Sequence, residues 1–157
     1  MTYWDKKVIR YQLDKRLLFL KDFASSGIPE QGWIKTIREA LGLSTTQLGK
    51  KAGLDQSRIS RLENAEKDGS LKLSSLQKIA KGLNMKFVYG FVPEDSLEQM
   101  VRAEARKIAL KRLKRLTATM RLEEQQLSRE EQEKALEDMI EKILVEQPKD
   151  FWDKADE

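Results

Sequence analysis

Gln56, Ser57, Arg58 and Arg61 crowd one short stretch of the chain. A glutamine amide can pair bidentately with adenine, a guanidinium with guanine, and a serine hydroxyl with several partners. Together they suit the base edges exposed in the major groove of a duplex. A lone arginine would read as an ordinary solvated side chain. Four such residues at the start of a helix, directly after Ala52-Gly53-Leu54-Asp55, make that reading weak.

The elements that must position them follow from spacing. Ser44 with Gln47 three residues on has the form of a capping box, which satisfies two backbone donors at a helix start. Leu48 and Ala52 then face inward, and Gly53 ends the helix where a left-handed residue is needed. Leu54 is the apolar residue of the turn, and Asp55 caps the next helix beside the positive end of its dipole. Ile59 and Leu62 form the buried stripe of that helix, so Gln56, Ser57, Arg58, Ser60 and Arg61 remain outside. Trp33, Ile34, Ile37 and Leu41 mark a preceding helix, with Trp33 read as core. Ser74-x-x-Gln77 opens a following one, with Leu76, Ile79, Ala80 and Leu83 inward. The expected core gathers Ile37, Leu48, Ile59, Leu62, Leu76 and Ile79.

Residues 41–64, closing on Arg61-Leu62-Glu63-Asn64, resemble the helix-turn-helix of the Xre-type, phage-repressor-like family. The resemblance implies that Gln56, Ser57, Arg58 and Arg61 read base edges and that Ser44 and Thr45 touch a phosphate. Members often close the second helix with Asn-Gly; here it is Asn64-Ala65. In resembling proteins the loop after this helix lies near the DNA backbone, which makes Lys67 and Lys72 phosphate contacts. Double-stranded DNA carrying a palindromic operator is the implied partner.

The 157 residues suffice for one compact domain with an extension, or for two small units. With no cysteine and no histidine, disulfide scaffolds, thiol catalysis, Cys/His zinc sites and serine–histidine dyads are excluded. No Gly-rich phosphate loop or metal-ligand spacing organises the carboxylates, so no enzyme, cofactor or metal is expected. No apolar run approaches the ~18–20 residues of a membrane span. Asp5, Lys6, Lys7, Asp14 and Lys15 interrupt the N-terminal segment, so no signal peptide is expected and a soluble cytoplasmic protein is the default. The net charge of +4 is unevenly placed: residues 1–93 carry +8, residues 94–121 carry +4, and residues 122–157 carry −8. Phosphate attraction would use the first two, whereas the acidic tail should point elsewhere.

Beyond this bundle, Leu13, Leu17, Leu20 and Ala24, widened by Leu18 and Phe23, predict an N-terminal helix ended by residues 25–29. Met85, Phe87, Tyr89 and Phe91 alternate in a β-branched and aromatic run that Pro93 stops, which predicts a strand. A lone strand needs a partner for its backbone, so the same strand of a second copy is expected to pair with it and make a homodimer. Ser96-x-x-Gln99 opens a long helix made basic by residues 102–115. That basic stretch suits a solvated helix first, a second DNA-contacting face next, and a membrane-surface helix last. Ser128-x-x-Glu131 opens a final helix ended by Pro148, and Phe151-Trp152 either docks on the chain's own helices or anchors a partner.

The whole chain also resembles the family called mobile mystery protein A, through Gln12-Leu13-Asp14, residues 88–93 and residues 119–123. That resemblance implies pairing with a Fic-domain protein in an antitoxin-like role. Fic enzymes are commonly held off by a helix of the pattern Ser/Thr-x-x-x-Glu-Gly/Asn. Thr119 and Glu123 fit its first part on one helical face, while Glu124 stands where Gly or Asn is usual. The expectation is therefore a mainly α chain: an N-terminal helix (1–26), a five-helix-type helix-turn-helix bundle (27–84), one short β-strand at a dimer contact (85–93) and a C-terminal helical extension (94–157). Its expected role is a DNA-binding regulator and autorepressor. The alternative is an adaptor whose main task is neutralising a toxin enzyme.

Overall fold

A computed structural model describes residues 1–122 and 127–153. Among them the chain forms seven helices: α1 (Tyr3–Ser26), α2 (Trp33–Ala40), α3 (Thr45–Ala52), α4 (Gln56–Asp68), α5 (Leu73–Gly82), α6 (Leu97–Leu122) and α7 (Arg129–Glu146). It divides into two compact units, one of Met1–Phe19 with Val92–Glu157 and the other of Leu20–Phe91, so α1 begins in the first and ends in the second. No described helix is long and apolar enough to cross a membrane.

The unit of residues 20–91 is built on a core of Ile34, Leu48, Ala52, Ile59 and Ile79, ringed by Leu54, Leu62, Leu71, Leu76 and Leu83. The inward residue of α2 is Ile34, whereas Ile37 is half-buried. Trp33 stacks on Phe23, ring centroids 5.8 Å apart. The second capping box does not form: Lys72 is the N-cap of α5, and Ser74 lies inside the helix.

The predicted strand is not formed, and no strand occurs among the described residues. Residues 85–92 leave α5 through the Met85 amide, which donates to the Ala80 carbonyl at 2.8 Å, and then run without regular structure. Among the described residues, no backbone hydrogen bond joins residues 86–91 to the rest of the chain. The side-chain pattern that suggested a strand is present, since Phe87 and Tyr89 stack at 5.9 Å as i, i+2 neighbours. The ladder is missing because alternation alone cannot supply a second strand.

In the other unit, α6 and α7 pack around Val101, Ala105, Ile108, Ala109, Ile140, Ile143 and Leu144, with Tyr3 and Phe151 closing the core. Ala105 and Ala109, one turn apart, are small enough to let α7 approach α6 closely. Phe151 therefore docks on the chain itself, while Trp152 stays exposed. Arg102 pairs with Glu137 at 2.5 Å and Glu141 at 2.8 Å, and Arg112 with Glu146 at 3.8 Å. Glu137, Glu141 and Glu146 of the acidic segment thus face the basic helix.

α1 turns a polar side to this unit. Arg10 is buried and bonds Glu98 at 2.6 Å, and Lys6 donates to Gln147 at 2.6 Å. The Asp14 carboxylate accepts from the amides of Leu97 at 2.7 Å and Glu98 at 3.3 Å. Ser96 supplies one arm of a box, accepting from the Gln99 amide at 3.0 Å, so Asp14 completes the cap from a distant helix. The predicted inward stripe is displaced accordingly: Leu17 is half-buried, whereas Leu13, Leu18 and Phe23 are exposed. Replacing Asp14 by Ala removes the acceptor of two first-turn amides. It should lower stability by about 1 kcal/mol, read as a lower urea midpoint with an unchanged slope; an unshifted midpoint would refute the role given to Asp14.

Candidate nucleic-acid interface

α3 begins as its sequence dictates. The Ser44 hydroxyl oxygen accepts from the Gln47 amide at 3.1 Å, and the Gln47 side-chain oxygen accepts from the Ser44 amide at 2.8 Å. At its end Gly53 adopts φ +68, which a side chain would disfavour. The turn is tight because the Leu54 amide donates to the Gly49 carbonyl at 2.8 Å. A Cβ on Gly49 would run into the Leu54 carbonyl oxygen, so the approach of turn to helix requires glycine there.

Asp55 then caps α4. Its carboxylate accepts from the Ser57 hydroxyl and from the Arg58 amide, both at 2.7 Å. The Ser57 hydroxyl, then the Arg58 amide, and last the charges of Arg61 and Arg58 hold the Asp55 carboxyl below the usual carboxylate range. A carboxylate at this place keeps the first turn of α4 wound where Gln56, Ser57 and Arg58 stand.

All four residues assigned to base edges are exposed. Gln56, Ser57 and Arg58 occupy the first turn, and Arg61 follows Ser57 and Arg58 at the i, i+4 and i, i+3 spacing that brings side chains to one side. Arg58 and Arg61 form no ion pair among the described residues. Ser57 differs from the expectation in one respect. Its proton is committed to Asp55, which leaves the hydroxyl oxygen as an acceptor. Ser44 is the reverse case, because its oxygen accepts a backbone bond while its proton stays available to a phosphate.

Thr45 opens α3 and is half-buried. The sequence predicts residues 65–70 as the loop after this helix, but α4 continues through Asp68, and Gly69 ends it at φ +80. Ala65, Glu66 and Lys67 are good helix formers, and only Asp68-Gly69 breaks the run. Lys67 therefore projects from the last turn of α4, while Lys72 is exposed at the start of α5.

The buried side of α4 carries the residues that sequence reasoning missed. Glu63 grips Arg38 of α2 in a forked pair, Nε to Oε1 at 2.5 Å and Nη2 to Oε2 at 3.2 Å. The same guanidinium donates to the Leu43 carbonyl at 3.0 Å, and the hydrogen bond to Glu63 is the main cause that raises its pKa further. Glu66 accepts from the amides of Trp33 at 2.7 Å and Ile34 at 2.8 Å, capping α2 from another helix. The Ile59, Leu62, Glu63, Glu66 spacing held the signal, since helical periodicity turns all four toward one side.

A short helix, a tight turn and a second helix with its polar N-terminal face in solvent define a helix-turn-helix domain. Residues 34–89 match the helix-turn-helix family model, and a domain of this kind suggests a DNA-binding regulator. No curated protein and no solved structure matches the chain.

Glu66→Ala would leave two amides at the start of α2 without their acceptor. It should cost about 1–2 kcal/mol in denaturant unfolding. Glu66→Gln, which keeps one acceptor oxygen, should cost less; equal stability of all three proteins would rule out the interhelix cap.

Proposed function

We propose that the chain is a sequence-specific DNA-binding transcriptional regulator, an autorepressor that works as a homodimer on a palindromic operator, and not an enzyme. The observation that carries this reading is the exposed face of α4: Gln56, Ser57, Arg58 and Arg61 are exposed on a helix whose opposite side is anchored by Ile59, Glu63 and Glu66. In this reading those four meet base edges in the major groove, while Ser44, Thr45, Lys67 and Lys72 meet phosphates. A two-fold dimer would place two copies of α4 about one helical turn apart, matching two half-sites. Residues 85–92, of which 86–91 make no backbone hydrogen bond to the rest of the chain among the described residues, are the proposed pairing segment between copies.

Binding to DNA from the protein's own promoter region tests this. Arg58→Ala or Arg61→Ala should weaken specific binding by about 1–3 kcal/mol and relax preference at one base-pair position. Lys67→Ala or Lys72→Ala should weaken all sequences alike and reduce the salt slope by about 1. Absence of sequence-selective binding at moderate salt would overturn the regulator reading, and a monomer by light scattering at micromolar concentration would remove the dimer.

The antitoxin-like partnership with a Fic-domain protein is the finer part of this proposal and is supported by the whole-chain resemblance. In the adaptor form of that reading, neutralising the partner is the main role and DNA binding is secondary. Thr119 is exposed near the end of α6, its hydroxyl donating to the Arg115 carbonyl at 3.1 Å. Glu123 lies outside the described residues. Co-purification with the Fic partner, followed by an adenylylation assay, separates the outcomes. Glu123→Ala should release the enzyme; undiminished inhibition by that variant would exclude the role of Glu123.

A further inference from the structure

α1 presents its apolar face to solvent. Trp4, Val8, Tyr11 and Leu18 are 65 %, 55 %, 61 % and 63 % exposed, although Tyr3, Arg10 and Asp14 beside them face the chain's own helices. With Lys15, these residues recur at alternating steps of four and three, the repeat of a coiled-coil seam. Apart from Tyr3, the side that faces inward carries the charged Arg10 and Asp14, while Trp4 and Tyr11 face outward, the reverse of the usual pattern for a surface helix. The exposed rings are already ordered: Trp4 packs edge-on against Tyr3 at 5.0 Å, Lys7 lies over Trp4 at 5.5 Å, and Lys15 lies over Tyr11 at 4.5 Å.

We propose that this seam is a contact between two copies of the chain, formed by antiparallel pairing of α1 with α1 of a second copy. The occupant follows from self-complementarity. In one antiparallel register Val8 faces Tyr11 of the second copy, Met1 faces Leu18, and Trp4 faces Lys15, each pair occurring twice about the two-fold axis. The only charged side chain in the seam, Lys15, then lies against an indole, the ring that best accepts a cation. Size agrees as well. Aromatic side chains bury about 150–250 Å² each, so the outward parts of this seam, with the exposed Phe19 beside it, amount to roughly 700 Å² per copy. A stable interface buries about 800 Å² per partner. The inference shares with the preceding section only the presence of two copies; it needs neither DNA binding nor pairing through residues 85–92.

The chain has no cysteine, so introduced thiols report contacts without background. Full-length Val8→Cys and Tyr11→Cys proteins, mixed and oxidised, should give a disulfide-linked heterodimer, while Val8→Cys alone should give little. Val8→Glu combined with Leu18→Glu alters only exposed positions. It should retain helicity by circular dichroism while weakening self-association at least tenfold in sedimentation equilibrium. Val88→Pro, which disables a backbone ladder through residues 85–92, serves as the control. No crosslink in the mixed sample overturns the proposal, as does a wild type that stays monomeric. The proposal also fails if association is unchanged by the α1 variant but lost in Val88→Pro, which would assign the dimer to residues 85–92. Failure of promoter binding with the crosslink intact would reject the regulator reading alone.

Discussion

Two carboxylates on the inner side of α4 determine how that helix is held. Glu63 takes the Arg38 guanidinium with both oxygens, and Glu66 takes the first two amides of α2. Each satisfies groups that would otherwise lose water without compensation, because Arg38 and Glu63 are largely buried and α2 has no side-chain cap of its own. A planar guanidinium in a forked pair also fixes direction, which an apolar contact does not. Ile59 supplies burial, and the two glutamates supply registry. The rotation of α4 about its own axis is thereby set, and with it the outward direction of Gln56, Arg58 and Arg61. Backbone space tightens around the same contact, since a Cβ on Gly32 would stand 2.9 Å from the Glu66 carboxylate.

The charge reversal along the chain acquires a structural meaning from the α6–α7 pair. Taken as a string, a basic stretch followed by an acidic one suggests one segment drawn to phosphate and another repelled by it. In the folded unit Arg102 and Arg112 face Glu137, Glu141 and Glu146. These ion pairs are partly exposed, so each adds little stability. Their consequence is orientational: opposite charges flanking the seam of Ala105, Ile108 and Ile140 disfavour slipped pairings that would bring like charges together. Lys107 is likewise engaged, with Glu104. The charges of Arg102, Lys107 and Arg112, which could have served phosphate, are thus answered within the same unit.

What the sequence disclosed divides by distance along the chain. The boxes at Ser44 and Ser128 are complete in the structure, because every participant lies within three residues. The left-handed end at Gly53 and the Asp55 cap are local in the same sense, and the exposed face of α4 follows from them. Ser74 has the box spacing and caps nothing, since the helix starts one residue before it. Ser96 forms half a box and shares its helix start with Asp14, more than eighty residues away. A spacing rule cannot anticipate such a donor–acceptor pair, and the same holds for Arg38 with Glu63. Alternation in residues 85–92 predicts a strand that the structure does not form. A strand also needs a second segment to pair with, which alternation does not supply.

α1 shows a subtler limit of the same kind. Its length and helicity are legible, and it carries apolar residues on more than one side, so periodicity alone could not say which side turns inward. The choice is made by what the neighbouring helix leaves unsatisfied. The start of α6 offers the free amides of Leu97 and Glu98, and Asp14 is placed to take them. The Glu98 side chain draws Arg10 to the same side. Once these polar contacts fix the helix, Trp4, Val8, Tyr11 and Leu18 must emerge together on another face. Burying them instead would strand Arg10 and Asp14, and two unpaired charges cost more than a few exposed apolar side chains gain. The exposed seam is therefore a consequence of helix capping within the unit, and its repeat of four and three gives it a form that a second α1 can fill.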